Sequence, residues 1–560
     1  TMMKKTLKQL VCLMLTFALV FSLVGCGTDD KETTKAPSNE TSAPTDAPTQ
    51  SGDQGTTEAP TEAPKVGITY PLDTKETITL WTQRMVPNED YKDATESPYH
   101  QGLIKNTGVN IEFSYPMPGQ NANEAYKLLL TEKVLPDVIQ KATSNADLYE
   151  LYEDGVLRDL TPYLEEYAPD YWKFLQEHDD ARREIMTSDG KVLAFWGVRD
   201  TDWSINYIGP MIRQDWLDEQ NLEAPVTLAD WENVLTVFKE KYNATFGFSS
   251  KYLKYCLMAS GTGAMATGTQ EGTYFVDKNG KVQMSCLQPE WKEYMEIMNR
   301  WYEKGLLDND SMTADDKTIR TKAANNQLGA SWGPMSQMSN FWTDAEANGN
   351  GAKWVGVSYP RTAPGEPTSV IQYGAATIKT GAWISKDCSE EKMKMVMQFL
   401  NYGYTEEGMM YNNFGELGVS YTLDSEGNPQ FTDLVKNDKQ GISNAVKKYT
   451  SAYACPIGVQ MGYHVRLKNH DEAVKAVDKW LENTTRQQTY LPSLEFTQEE
   501  TDINATVTGY TDVINENVQK FIMGARPIEE YDDFCAELKK LGVEKLIATR
   551  QSAWDRYSQK

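Results

Sequence analysis

Thr77-Ile78-Thr79-Leu80-Trp81 is a short run of β-branched and apolar residues, and two more such runs follow it, Val109 to Tyr115 and Leu135-Pro136-Asp137-Val138-Ile139. Between the first two, residues 97–106 carry a helical pattern that stops at Thr107-Gly108, where a glycine is the expected terminator. A second helix is expected from about Asn123 to Lys133. Strands joined by helical crossovers of this length predict a parallel α/β sheet, because parallel neighbours cannot be linked by a tight turn. A ligand crevice is then expected at the carboxyl ends of the strands.

Further along, helices are well marked. Thr227 is placed to cap a helix with Asp230 three positions on, and Leu228, Trp231, Val234, Leu235 and Phe238 share one face. Ser389 stands before Met393, Val396, Met397 and Leu400 at the same spacing. Trp291, Tyr294, Met295, Met298, Trp301 and Tyr302 form an aromatic stripe that reads as core rather than as ligand surface.

The chain has 560 residues, enough for at least two globular units. Its 80 acidic against 55 basic residues give a net charge of −25, which disfavours nucleic acid and anionic lipid surfaces as partners. Aromatics at 11% argue against global disorder.

The N-terminus reads as an export signal. Lys4, Lys5 and Lys8 precede an apolar stretch from Leu10 to Val24 that is too short for a confident membrane span. It ends in Leu23-Val24-Gly25-Cys26, which resembles the bacterial lipobox, so residues 1–25 are read as signal peptide and Cys26 as the lipidated residue. Losing three lysines and no acid would take the charge from −25 to −28, so the expected anchor is lipid rather than charge. Residues 26–66, with Thr57-Glu58-Ala59-Pro60 repeated as Thr61-Glu62-Ala63-Pro64, lack apolar periodicity and read as a disordered tether.

Five groups of residues carry a family resemblance. Lys105 to Ile111 with Leu135-Pro136-Asp137-Val138 is the first. Met211-Ile212-Arg213-Gln214-Asp215-Trp216-Leu217 followed by Pro225-Val226-Thr227 and Trp231 is the second, and Trp301-Tyr302-Glu303-Lys304-Gly305-Leu306-Leu307 the third. Gly403 to Gly408 and the ending from Ile528 to Tyr557 complete the set. Together they resemble family 1 extracellular solute-binding lipoproteins of bacterial ABC sugar importers, in their long branch. The resemblance implies an α/β, two-lobe periplasmic-binding-protein-like fold with discontinuous lobes joined by a hinge. Lobe 1 is expected over 67–203 and 371–445, lobe 2 over 204–370 and 446–560.

The resemblance also implies a monomer on the extracellular face of the cytoplasmic membrane. It would capture an oligosaccharide and deliver it to ABC permease subunits, without cofactor, metal or covalent chemistry. A peptide or other small solute in the same fold, and a surface-anchored carbohydrate-active enzyme, are the alternatives.

Catalytic signatures are thin. Gly329-Ala330-Ser331-Trp332-Gly333 has the spacing of a nucleophile elbow, with His464 later in the chain, but helix is expected before it and Gly333-Pro334 disfavours helix after it. Gly261-Thr262-Gly263 with Gly268 lacks dinucleotide spacing, and His100, His178, His464 and His470 lack metal-ligand spacing. Some relatives, including alginate-binding proteins, carry a calcium loop after the helix that begins at Thr227. Lys241 to Gly247 stands there in this chain with no carboxylate ladder. Cys256, Cys286, Cys388, Cys455 and Cys535 read as buried thiols, with one disulfide possible.

A sugar presents an apolar C–H face and an edge of hydroxyls, so its site needs flat aromatics flanked by planar hydrogen-bonding groups. Trp81 and Arg84 end the first strand; Trp196, Arg199, Asp202 and Trp203 lie near the first expected hinge crossing; Trp332, Tyr373 and Trp383 lie near the return. These nine are the expected ligand-binding residues. The mixture favours neutral sugars over uronate polymers, although Arg84 and Arg199 would reverse that locally. Arg213 is left out, because Arg-x-Asp-Trp-Leu also suits a structural ion pair.

Overall fold

The computed structural model describes residues 67–83, 93–117, 119–200, 208–255, 257–267, 274–371, 377–439, 442–451, 457–463, 467, 469–482, 491–492 and 494–559. The expected signal, Cys26 and the tether lie outside the described residues.

The chain first lays down β1 (Thr77–Thr82), β2 (Asn110–Ser114), β3 (Val138–Ala142) and β4 (Phe195–Arg199). It then passes to a second sheet built of β5 (Ile208–Arg213), β6 (Thr245–Gly247), β7 (Leu328–Pro334) and β8 (Trp354–Gly356). It returns with β9 (Thr377–Ile384) and adds β10 (Val459–Gln460). The first sheet has the order β10-β4-β9-β3-β1-β2 and the second the order β8-β5-β7-β6. In the first sheet β1 runs parallel to β2 and β3, β10 runs parallel to β4, and β9 is antiparallel to both its neighbours. This is the α/β two-sheet architecture expected from the sequence.

Each sheet anchors its own core. Ile78, Leu80, Val138, Ile139, Phe195 and Ile384 belong to one, and Met211, Ile212, Phe246, Leu328, Ala330 and Trp354 to the other. Ile457 and Val459 pack into the first core although they lie beyond residue 445. A small third cluster joins Phe414, Tyr421, Phe431 and Val446.

The helices form where the patterns place them. Pro98–Thr107 is capped at its start by the Ser97 side chain and ends at Gly108, whose φ of 75° is left-handed. Leu228–Tyr242 begins with a capping box between Thr227 and Asp230 and buries Leu228, Trp231, Val234, Leu235 and Phe238. Each buried apolar side chain contributes roughly 1.5–3 kcal/mol and a cap about 1. The stripe therefore decides that the helix exists, and the cap decides where it starts. Asn243 and Ala244 alone link this helix to β6, so no cation-binding loop fits there.

Two local expectations change. The third strand begins at Val138, not Leu135: Pro136 has no N–H for a ladder, and the Leu135 N–H donates to the Asp387 carboxylate at 2.9 Å. Ser331 does lie on a strand, β7, and the Met335–Asn348 helix follows at once. Ser331 is nevertheless fully buried and lies before the end of β7, away from the strand-to-helix turn, and its Oγ accepts from Gln337 Nε2 at 3.3 Å. Cys286, Cys388 and Cys535 are free thiols; Cys256, Cys455 and His464 lie outside the described residues.

Candidate functional site

The carboxyl ends of β1, β2, β3, β4 and β10 lie along one edge of the first sheet, together with the start of β9. The chain leaves for the second sheet from this edge, after β4, and returns to it at β9. It arrives in the second sheet at Ile208, which pairs with Pro334 at the carboxyl end of β7. The two carboxyl edges are thus joined to each other, which is where an α/β fold binds its ligand.

Hydrogen bonds tie the crossing strands together. Arg199 Nη1 donates to the Thr377 carbonyl at 2.6 Å, and the Thr377 N–H donates to Glu184 at 3.2 Å. Asp200 accepts from the Gly462 N–H at 2.9 Å and gives its own N–H to the Gln460 carbonyl at 3.2 Å.

Register then sorts the side chains. Directly paired residues project from the same face of a sheet, so Trp81, Ile139 and Trp383 form one row across β1, β3 and β9. Lys141, Gly381 and Trp196 form the next row on the same face, nearer the carboxyl edge. Gly381 leaves room there: a Cβ on it would lie 3.6 Å from the Trp196 ring. The Ala122–Leu129 helix lays Tyr126 against Trp81 with ring centres 5.8 Å apart, and the Lys141 ammonium lies 4.8 Å from the Tyr126 centre. Burial, with a lesser push from Asp147, raises the Tyr126 phenol to about 12, so it stays protonated and able to donate.

Three of the expected aromatics, Trp81, Trp196 and Trp383, are therefore brought together on one face. All are buried, at 4%, 3% and 0% exposure. Trp332 belongs instead to the core of the second sheet, fully buried and stacked on Phe248 with centres 4.0 Å apart. Trp332 and Trp383 expose no surface, so contact with a ligand requires movement around them. Arg84, Asp202, Trp203 and Tyr373 lie outside the described residues. Tyr126 and Lys141 were not foreseen; the polar tail Gln140-Lys141 on an otherwise apolar strand was the available signal for the lysine.

Arg213 settles into the structural role. It is 2% exposed, makes a bidentate pair with Asp215 at 2.9 and 2.6 Å, donates to Asn326 Oδ1 at 2.6 Å and stacks on Trp216 at 3.9 Å.

Among the described residues no group of three or more His, Cys, Asp or Glu side chains is arranged to hold a metal ion, and no helix is long and apolar enough to cross a membrane. Residues 99–437 match the family described as bacterial extracellular solute-binding protein. The chain belongs to that family. This solute-binding protein is 22% identical over 523 residues to the fructooligosaccharide ABC transporter substrate-binding protein FusA of Streptococcus pneumoniae, covering 88% of this chain and 92% of FusA. It is 24% identical over 382 residues to the lipoprotein LipO of Bacillus subtilis, covering 65% of this chain and 71% of LipO. Its fold superposes with a TM-score of 0.70 on an HMO-binding, ABC-transporter-associated solute-binding protein of Bifidobacterium longum infantis, at 19% identity over 87% of this chain and all of that one.

Proposed function

We propose that this solute-binding protein captures an oligosaccharide between its two carboxyl edges and presents it to the permease of an ABC importer. The row of Trp81 and Trp383 beneath Trp196, Tyr126 and Lys141, at the edge from which the chain crosses, carries this reading. A flat aromatic bed beside hydrogen-bonding groups suits a pyranose or furanose ring. The sugar ligand of FusA supports the same class.

In this reading lobe 1 is 67–203 with 371–445 and lobe 2 is 204–370 with 446–560, save that β10 packs with the first core and moves the third crossing to between Gln460 and Asp471. Trp81, Trp196 and Arg199 line lobe 1, with Arg84, Asp202, Trp203 and Tyr373 beside them in sequence at the crossings. Trp383 supports the bed from below, and Trp332 stays in the core of the second sheet, stacked on Phe248. Cys26 carries the lipid, and residues 26–66 tether a monomer to the outer face of the membrane; the lipoprotein description of LipO supports this. A flexible tether of that length reaches roughly 35 Å. Closure around the sugar buries it because the closed state offers more contacts, with no bond made or broken.

A thermal-shift and calorimetry screen with neutral and acidic oligosaccharides, and with peptides, tests the reading. Stabilisation by saccharides with no product on chromatography is the expected result. Stabilisation by peptides alone, or turnover of a saccharide, overturns it.

A further inference from the structure

Lys141 is the next-to-last residue of β3 and is half-buried at the carboxyl edge. Its ammonium donates to the carbonyl of Ala142 at 3.0 Å and rests over the Tyr126 ring. No carboxylate partner for it occurs among the described residues. Several other half-buried lysines of this acidic chain have one: Lys322 pairs with Asp308, Lys392 with Asp137 and Lys448 with Asp438. The acids nearest in sequence are already engaged, Asp137 by Lys392 at 2.7 Å and Asp147 by the Ser144 N–H at 3.0 Å and the Thr143 hydroxyl at 3.4 Å.

An ammonium with one carbonyl and a ring face is adequately held while water reaches its remaining N–H groups. Closing the cleft removes that water. A neutral hydroxyl then leaves the ammonium without an opposite charge in direct contact, whereas a carboxylate supplies one together with a short charge-assisted hydrogen bond. We infer that Lys141, held in place by Tyr126, reads a carboxylate on the ligand, so that the saccharide is a uronate-containing oligosaccharide. This rests on the oligosaccharide reading above and replaces the sequence-based preference for neutral sugars.

Calorimetry at low ionic strength with trigalacturonate, its neutral methyl ester and the neutral trisaccharide kestose decides the matter. The wild-type protein should bind the acid about tenfold or more tighter than the ester. Lys141→Met should lose about tenfold or more for the acid and clearly less for the ester, so that the preference for the acid collapses, with an unaltered melting temperature in the absence of ligand. Should that variant not fold, the salt dependence of the wild type replaces it: affinity for the acid should fall with added salt and affinity for the ester should not. Ester or kestose binding as tightly as the acid overturns the role of Lys141 and leaves oligosaccharide capture standing. Binding of none of these, nor of any saccharide in the screen, overturns both.

Discussion

The carboxylate of Glu495 accepts from Asn145 Nδ2 at 3.2 Å, joining a helix whose Leu148 lies in the first core to a segment held by a helix whose Leu546 lies in the second. Asn145 starts the Asn145–Glu153 helix over the first sheet, while the Glu495 backbone is fixed by Arg556 of the C-terminal Val543–Tyr557 helix at 3.0 Å. The other Glu495 oxygen takes the Ser188 N–H at 2.8 Å, so one side chain fastens two points of the first unit to the second.

Glu495→Ala should therefore loosen the relation between the two halves. Two hydrogen bonds to a half-exposed carboxylate are worth together about 1–2 kcal/mol. Dipolar spectroscopy between spin labels on the two sheets should show a broader distance distribution in the ligand-free variant. Ligand affinity should change several-fold as the balance of conformations shifts. An unchanged distribution would show that Glu495 decorates the contact without holding it.

His100 predicts a pH dependence. Burial pulls its imidazolium down to about 4, with Asp93 and the Ala94 carbonyl opposing but not overcoming the loss of water. In the unfolded chain the ring titrates near 6.5, so the unfolded state takes up the proton first. The stability associated with neutral His100 is complete above about pH 6.5 and is lost as the pH falls towards 4, at most about 3 kcal/mol in total. Urea melts of the wild type and of His100→Phe across this range should show a shallower slope for the variant. Equal slopes would assign the acid sensitivity to other groups.

Gly403 and Gly458 pack backbone to backbone, with a Cβ on Gly458 driven into the Gly403 carbonyl and a Cβ on Gly403 into that of Ile457. Neither obstacle is a flexible side-chain tip. Gly458→Ala should lower stability by about 1–3 kcal/mol, seen as a fall in melting temperature. A variant as stable as the wild type would mean that the segment leading into β10 can shift aside.

Removing Arg213 should be costly for a different reason. Arg213→Met leaves the Asp215 carboxylate beside apolar rings without its counter-charge, and Asp215 keeps some contact with water at 22% exposure. A loss of about 2–4 kcal/mol in urea denaturation is expected, at the lower end for a broken buried pair. Arg213→Lys should recover only part of it, since an ammonium cannot make the bidentate contact or the flat stack on Trp216.

What the sequence revealed followed from what is local. The Thr227–Asp230 capping box, the glycine stop at Gly108 and the Trp291–Trp301 stripe are each set by residues within a few turns, and all three appear in the fold. The β3 boundary moved because Asp137 is drawn into hydrogen bonds with Thr79 on β1, a neighbour that strand order alone supplies. The same limit applies to the site. Trp81 was legible as an aromatic ending a strand and Trp196 as one near the first crossing, but their place on one face depends on β9 lying between β3 and β4. Lys141 gained significance only once no carboxylate was found paired with it among the described residues. Glu495 lies 350 positions from Asn145, beyond any pattern of spacing.

The order in which the chain visits its two sheets has a practical outcome for handling the protein. Residues 67–200 and 377–460 build one sheet, and the segment between them builds the other, joined later by the Asp471–Leu481 helix, which packs on β5 and β8. Neither half is a contiguous gene fragment, so neither can be expressed by simple truncation. By the same token, a protease that cuts at one crossing would yield two bands under denaturing conditions and a single particle on a sizing column, because the severed pieces remain interleaved.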